Sequence, residues 1–207
     1  KKIAVTFDAA WENSDTDELI EVLAKHQAKA TFFVTGDWVD RCQEDLKKLY
    51  DAGHEIGNHS DQHPHVAKIN TNDLIADTKA CYEKIKQITG EGPSLYRGPY
   101  GEYSDSMLTT IEGMGYKVIQ WSVDSLDWKK PSLEQMVEKV VSKAQNGSIV
   151  LFHTDTVNTP QALDQILTQL TQQGYSFVRV SDLIYHNDYY IDANGVQHPA
   201  AQQKAVS

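Results

Sequence analysis

A chain of 207 residues fits one domain with a full hydrophobic core. With 40% apolar and 23% charged residues it has the composition of a soluble globular protein, and its longest apolar runs, such as Ile149 to Phe152, are far too short to cross a bilayer. Nineteen Lys and Arg against 29 Asp and Glu give a formal charge of −10, which repels phosphate backbones and anionic lipid and counts against nucleic-acid partners.

Short apolar runs alternate with capped amphipathic stretches, the pattern of β/α units around a mainly parallel sheet. Ile3 to Phe7 reads as a strand with no apolar leader before it, so any targeting segment has been removed or lies outside these residues. Asp15 to His26 reads as a helix with Leu19, Ile20 and Leu23 on one face and Ser14 as N-cap. Ala30 to Val34 is the next strand, Asp40 to Ala52 a helix stopped at Gly53, and Glu55 to Gly57 a short strand. Thr71 to Thr89 is the long helix, ended by Gly90.

Leu95 to Arg97 reads as a fourth strand, Asp105 to Gly113 as a helix, and Lys117 to Val123 as a fifth strand. Ser132 and Gln135 form a capping box for a helix to about Ala144. Ser148 to Phe152 is strand six, Thr159 caps a helix with Pro160 at its first position, and Tyr175 to Val180 is strand seven. This divides the chain into one domain over residues 1–184 and an extension over 185–207, polar and without periodicity. Cys42 and Cys81 fall inside helical patterns and read as small buried hydrophobes.

The residues able to do chemistry cluster at strand ends. Asp8, His59, Arg97, Asp124, Asp127 and His153 each follow a strand at its carboxyl end, and in a parallel barrel those ends share one face. His59 and His63 are spaced to converge on a divalent metal, although two histidines alone make an incomplete site and His54 and His65 are close by. Arg97 beside Asp8 would hold that carboxylate ionised, as a general base requires. Asp127 beside His153 would make the imidazole a proton donor. Asp124 and Asp127 could also be read as a glycosidase pair, but two positions three apart on one loop are poorly placed to flank a scissile bond. Trp128 suits a sugar-stacking wall.

Taken in order, Thr-Phe-Asp at 6 to 8, His-Ser-x-x-His at 59 to 63, Arg-x-Pro-Tyr at 97 to 100, Asp-x-x-Asp-Trp at 124 to 128 and Leu-x-His at 151 to 153 resemble the five motifs of the NodB-type polysaccharide deacetylases, carbohydrate esterase family four. The resemblance runs to about Leu183. It implies a distorted seven-stranded (β/α) barrel that removes acetyl groups from a polysaccharide, with N-acetylglucosamine units of peptidoglycan or chitin-type oligomers favoured over O-acetylated xylan. It implies a divalent metal, zinc first with cobalt, nickel or manganese as alternatives, held by His59 and His63. Asp8 is then the base, Arg97 its orienting partner, His153 the acid and Asp127 the partner of His153. Tyr100 would give a backbone N–H to the oxyanion, and Trp128 and Leu151 would line the acetyl pocket. An extracellular or cell-surface place in a bacterium follows from a polymeric substrate, with a monomer as the simplest state.

One position departs from that pattern. The family's first motif usually ends in a second Asp that completes the metal ligands, and here that position is Ala9. Glu12 and Asp61 are the nearby candidates to replace it, and a glycan-binding protein without turnover is the alternative that Ala9 raises.

Overall fold

The computed structural model describes residues 1–200. The first half contains β1 (Lys2–Ala9), α1 (Thr16–Lys25), β2 (Thr31–Val34), α2 (Gly36–Arg41), α3 (Gln43–Asp51), β3 (Glu55–Asn58), α4 (Thr71–Thr89) and β4 (Leu95–Tyr96). It continues through α5 (Asp105–Gly113), β5 (Lys117–Val118), β6 (Val123–Asp124), α6 (Leu133–Lys143), β7 (Ile149–His153), α7 (Thr159–Gln172), β8 (Ser176–Phe177), α8 (Val180–Leu183), β9 (Tyr189–Ile191) and β10 (Gln197–Pro199). Single 3-10 turns lie at Pro99–Gly101 and Asp127–Lys129.

Strands β1 to β8 pair only in parallel, in the order β5-β4-β3-β2-β1-β7-β6, with β8 joined to the start of β1. The period-2 alternation of β1 explains how the sheet is packed on both faces. Ile3, Val5, Phe7 and Ala9 point to the helices and join one large core with Leu19, Trp38 and Leu163. There Phe7 stacks on Phe32 at 4.7 Å and Phe152 at 5.5 Å. The opposite face carries Ala4, which packs with Phe33, Leu95, Ile119 and Val180 inside the curl of the sheet. Thr6 and Asp8 continue that inner face toward the carboxyl end.

The run Lys117 to Val123 is not one strand. Its two ends lie on opposite edges of the sheet, β5 on β4 and β6 on β7. Between them the Ile119 N–H donates to Tyr96 O at 2.8 Å and the Ser122 N–H to Ile149 O at 2.9 Å, so this segment bridges the two edges and closes the curl loosely. Counted as one interrupted strand, it brings the total to the expected seven.

The helices follow the sequence closely where caps are local. Thr71–Thr89 forms as read, capped by Asn70 and stopped at Gly90 with φ 82°, and the Ser132–Gln135 capping box is present. The expected Asp40 to Ala52 helix instead breaks at Cys42 into α2 and α3, because Thr35 caps a separate turn through Trp38 N at 3.0 Å. Ser14 does not cap α1; it bonds Asp155, and Asp15 takes the cap position without a side-chain cap bond. Residues 189–199 of the extension, expected to lack pattern, form the antiparallel β9–β10 hairpin, tied to β5 through Lys117 Nζ and Tyr189 OH at 3.2 Å. Residues 201–207 of that extension lie outside the described residues. Cys42 and Cys81 are both free and buried, and no helix among the described residues is long and apolar enough to cross a membrane.

Candidate active site

The site is built at the carboxyl ends of the parallel strands. In the pairing of β1 with β7, Asp8 stands opposite His153, so two groups 145 positions apart become neighbours on one face. Arg97 follows β4 directly and is fully buried. Its Nη1 donates to Asp8 Oδ1 at 3.0 Å and to Thr6 Oγ1 at 2.9 Å, while the Thr6 hydroxyl donates to Val150 O at 2.7 Å. Arg97 Nε and Nη2 donate to the carbonyls of Ile119 and Gln120, at 3.3 and 2.9 Å, in the segment that bridges the sheet edges. The guanidinium lies over the Phe33 ring at 4.3 Å. One side chain thus orients the carboxylate and satisfies carbonyls that have no strand partner.

Burial opposes the charge of Asp8, but His59, Arg97 and His153 outweigh it and hold the carboxyl below its ordinary value of 3.8. Burial likewise opposes charge on His153, but the bond from Asp127 and the negative field of Asp8 prevail, and its pKa lies above the ordinary 6.5. His153 Nδ1 bonds Asp127 Oδ1 at 2.8 Å, which leaves Nε2 as the nitrogen free to carry a proton to a ligand. Asp127 also accepts from the His153 backbone N–H at 2.6 Å and from Thr159 Oγ1 at 3.1 Å. Thr159, read from sequence as a helix cap, spends its hydroxyl on Asp127 instead; α7 begins after Asn158 without a side-chain cap bond.

The two candidate ligands sit on the loop after β3. His59 Nδ1 donates to Arg97 O at 2.7 Å, so its Nε2 keeps the lone pair, 3.6 Å from Asp8 Oδ2. The rings of His59 and His63 lie 5.1 Å apart, edge to face. Burial disfavours charge on both imidazoles: the pKa of His59 is shifted down, and that of His63 is lowered to about 4 by burial and then by His59. His63 Nδ1 is buried without a hydrogen-bond partner. Ser60 and His63 both adopt left-handed backbone, φ 71° and 59°, held because Asp77 accepts from the N–H groups of Asp61 at 3.0 Å and Gln62 at 3.1 Å.

Two imidazoles on which burial disfavours a proton, one with an orphaned nitrogen, fit a divalent metal in donor chemistry, but the set is one protein ligand short of a usual catalytic site. Ala9 is fully buried, and its methyl belongs to the helix-side core with Trp38 and Val34. Neither candidate replacement serves. The Glu12 side chain is exposed, 3.9 Å from Arg41, and Asp61 is engaged by Lys84 at 2.8 Å and by Gln62. Among the described residues no three His, Cys, Asp or Glu side chains converge on a metal position.

The remaining candidates divide. Trp128 is exposed and lines a pocket of about 230 Å³ with Trp11, Asp127 and His153. Tyr100 adopts φ 61°, and its ring packs against His63 at 4.6 Å and His65 at 4.3 Å. Leu151 is buried in β7, in register with Thr6, and does not line that pocket. Asp124 Oδ1 accepts the Leu126 N–H at 2.9 Å and shapes the turn, and Asp127 is committed to His153, so the two do not form a free glycosidase pair. Sequence reading missed Thr6, although it lies two positions before Asp8 on one strand and so shares its face.

Residues 1–119 match the family described as polysaccharide deacetylase. The chain is 34% identical over 192 residues to the peptidoglycan-N-acetylmuramic acid deacetylase PdaA of Bacillus subtilis, covering 91% of this chain and 73% of that protein. It is 37% identical over 193 residues to a peptidoglycan-N-acetylglucosamine deacetylase of Bacillus cereus, covering 89% of this chain and 88% of that protein. Among solved structures, wild-type BA3943 of Bacillus anthracis, described as a CE4 family pseudoenzyme, matches with a TM-score of 0.85 at 32% identity, over 88% of this chain and 65% of that one. A mutant of BA3943, with TM-score 0.85 and 33% identity over 88% of this chain and 67% of that one, is described as having restored enzymatic activity.

Proposed function

The chain belongs to the polysaccharide deacetylase family, and we propose that it hydrolyses the acetamido group of an N-acetylated sugar in peptidoglycan or a chitin-type oligomer. The observation that carries this reading is the pairing of Asp8 and His153 across β1 and β7, each with its own charge partner, Arg97 and Asp127. An ionised carboxylate and a protonated imidazole side by side are the two states that amide hydrolysis needs.

His59 and His63 would hold a divalent ion such as zinc, which when bound supplies polarisation of the acetyl carbonyl and a more acidic water. Asp8, ionised and fixed by Arg97, takes the proton from the attacking water as its oxygen bonds to the carbonyl carbon. His153 Nε2 gives its proton to the departing nitrogen as the carbon–nitrogen bond breaks, which releases acetate and a free amine. The left-handed Tyr100 turn beside His63 would aim a backbone N–H at the developing oxyanion. A polymeric substrate of this kind fits a protein that works outside the cell or on its surface.

A second reading, a glycan-binding protein without turnover, is supported by Ala9 and the missing third ligand, and by the likeness to BA3943. An O-acetyl ester is the alternative substrate of the same site. Acetate release from an N-acetylglucosamine oligomer by metal-stripped protein titrated with zinc separates these readings. Zinc-dependent release, lost in Asp8→Asn and His153→Ala, supports the deacetylase. Silence throughout the titration, with the oligomer still bound, would favour the binding protein, and release only from acetylated xylan the esterase.

A further inference from the structure

Five of the eight large apolar side chains that the described residues expose are Trp11, Tyr100, Tyr103, Trp128 and Val157, on loops after β1, β4, β6 and β7. Trp11, Trp128 and Val157 line one pocket with His153, and Tyr100 packs on His63; exposed apolar groups gathered at a groove mark a ligand surface. Trp11 stands out because its backbone is fixed while its ring is free. Arg41, itself held by Asp37 at 3.0 Å, donates to the carbonyls of Ala10, at 3.1 Å, and Trp11, and Trp38 Nε1 donates to Glu12 O at 2.9 Å. Yet the Trp11 side chain and backbone together remain 62% exposed, with the ring 5.7 Å from that of His63.

An indole on a clamped loop has its backbone already ordered, so a ligand that covers its exposed face costs side-chain freedom alone on that side. Trp11 and Trp128 line the same pocket, the one into which His153 opens, and no other indole lines it. We propose that Trp11 is a sugar-stacking platform that, together with Trp128, holds a ring of the glycan chain adjacent to the one at the reacting centre. The ligand of the site is therefore an oligomer or polymer of N-acetylated sugars rather than a monosaccharide. This rests on the glycan reading above, and it holds whether or not the bound chain is turned over.

The test is a titration of the full chain with N-acetylglucosamine oligomers from dimer to tetramer, followed by indole fluorescence and calorimetry, with EDTA present so that hydrolysis does not intervene. In the wild type, affinity rises with chain length. Trp11→Ala should weaken tetramer binding by about tenfold or more, the effect of exposing one face of an indole's contact area, and flatten the dependence on length; Trp11→Phe should keep most of both. If Trp11→Ala binds the tetramer as the wild type does, the platform is wrong while the glycan reading stands. If the wild type binds no oligomer of any length, both fall.

Discussion

The two halves of the site are built to different standards. Around Asp8 and His153 the charged groups are paired and buried: Arg97 spans Asp8, Thr6 and two carbonyls, and Asp127 takes bonds from His153 and Thr159. Around His59 and His63 the donors are one short, and a buried ring nitrogen has no partner. Arg97 and Asp127 bond backbone groups as well as Asp8 and His153, so structure alone would keep them in a protein without turnover. The imidazole half is tied down by fewer bonds, the His59 Nδ1 contact to Arg97 O and the Asp77 contacts to its loop.

The largest effect should come from Arg97→Ala. It leaves Asp8 buried without its partner and the carbonyls of Ile119 and Gln120 without donors, a loss of about 3–5 kcal/mol in urea unfolding. Arg97→Lys should recover little, because one ammonium cannot serve Asp8 and both carbonyls. If Arg97→Ala unfolds like the wild type, the claim that this half is structural fails.

Next, Ala9→Asp should raise zinc affinity by about tenfold or more, measured by calorimetry on metal-stripped protein, by supplying the charged third ligand. The same change should lower the stability of the metal-free form by about 1–3 kcal/mol, because a carboxylate replaces a methyl in the helix-side core. Unchanged zinc affinity would mean that position 9 cannot turn to the imidazoles in this fold.

A smaller, pH-dependent effect is expected for Asp127→Asn. His153 has its pKa raised in the fold, so its contribution to stability is full below 6.5 and is lost as pH rises through the raised value. Asp8 has the opposite sign, its contribution present above 3.8 and lost as pH falls through the lowered value. Activity should therefore hold between these two limits. Asp127→Asn should move the alkaline limb of acetate release to lower pH, leave the acid limb in place, and cost about 1–3 kcal/mol from the bonds of Asp127. An unmoved alkaline limb would remove His153 as the acid.

Much of this was legible from residue order. The α4, α5 and α6 helices obey local rules of capping and period, and the five motifs mark Asp8, His59, His63, Arg97, Asp127 and His153 because each lies at or just beyond a strand end. Thr159 and Ser14 both looked like caps, yet each spends its hydroxyl on a carboxylate from a remote loop, Asp127 and Asp155. A capping pattern depends on the next three residues, whereas the competing acceptor arrives only when the sheet has formed.

The alternation of strand and helix, the caps of α4 and α6 and the loop positions of the reactive groups can be read from residue order, because they depend on contacts a few residues apart. That Lys117 to Val123 divides between opposite edges of the sheet, and that Arg97 fills the breach, emerges only in the folded chain. The clamp of the Trp11 loop from α2 belongs with them. Those outcomes depend on which strands become neighbours, and a strand pattern records which face is apolar without recording what will lie beside it.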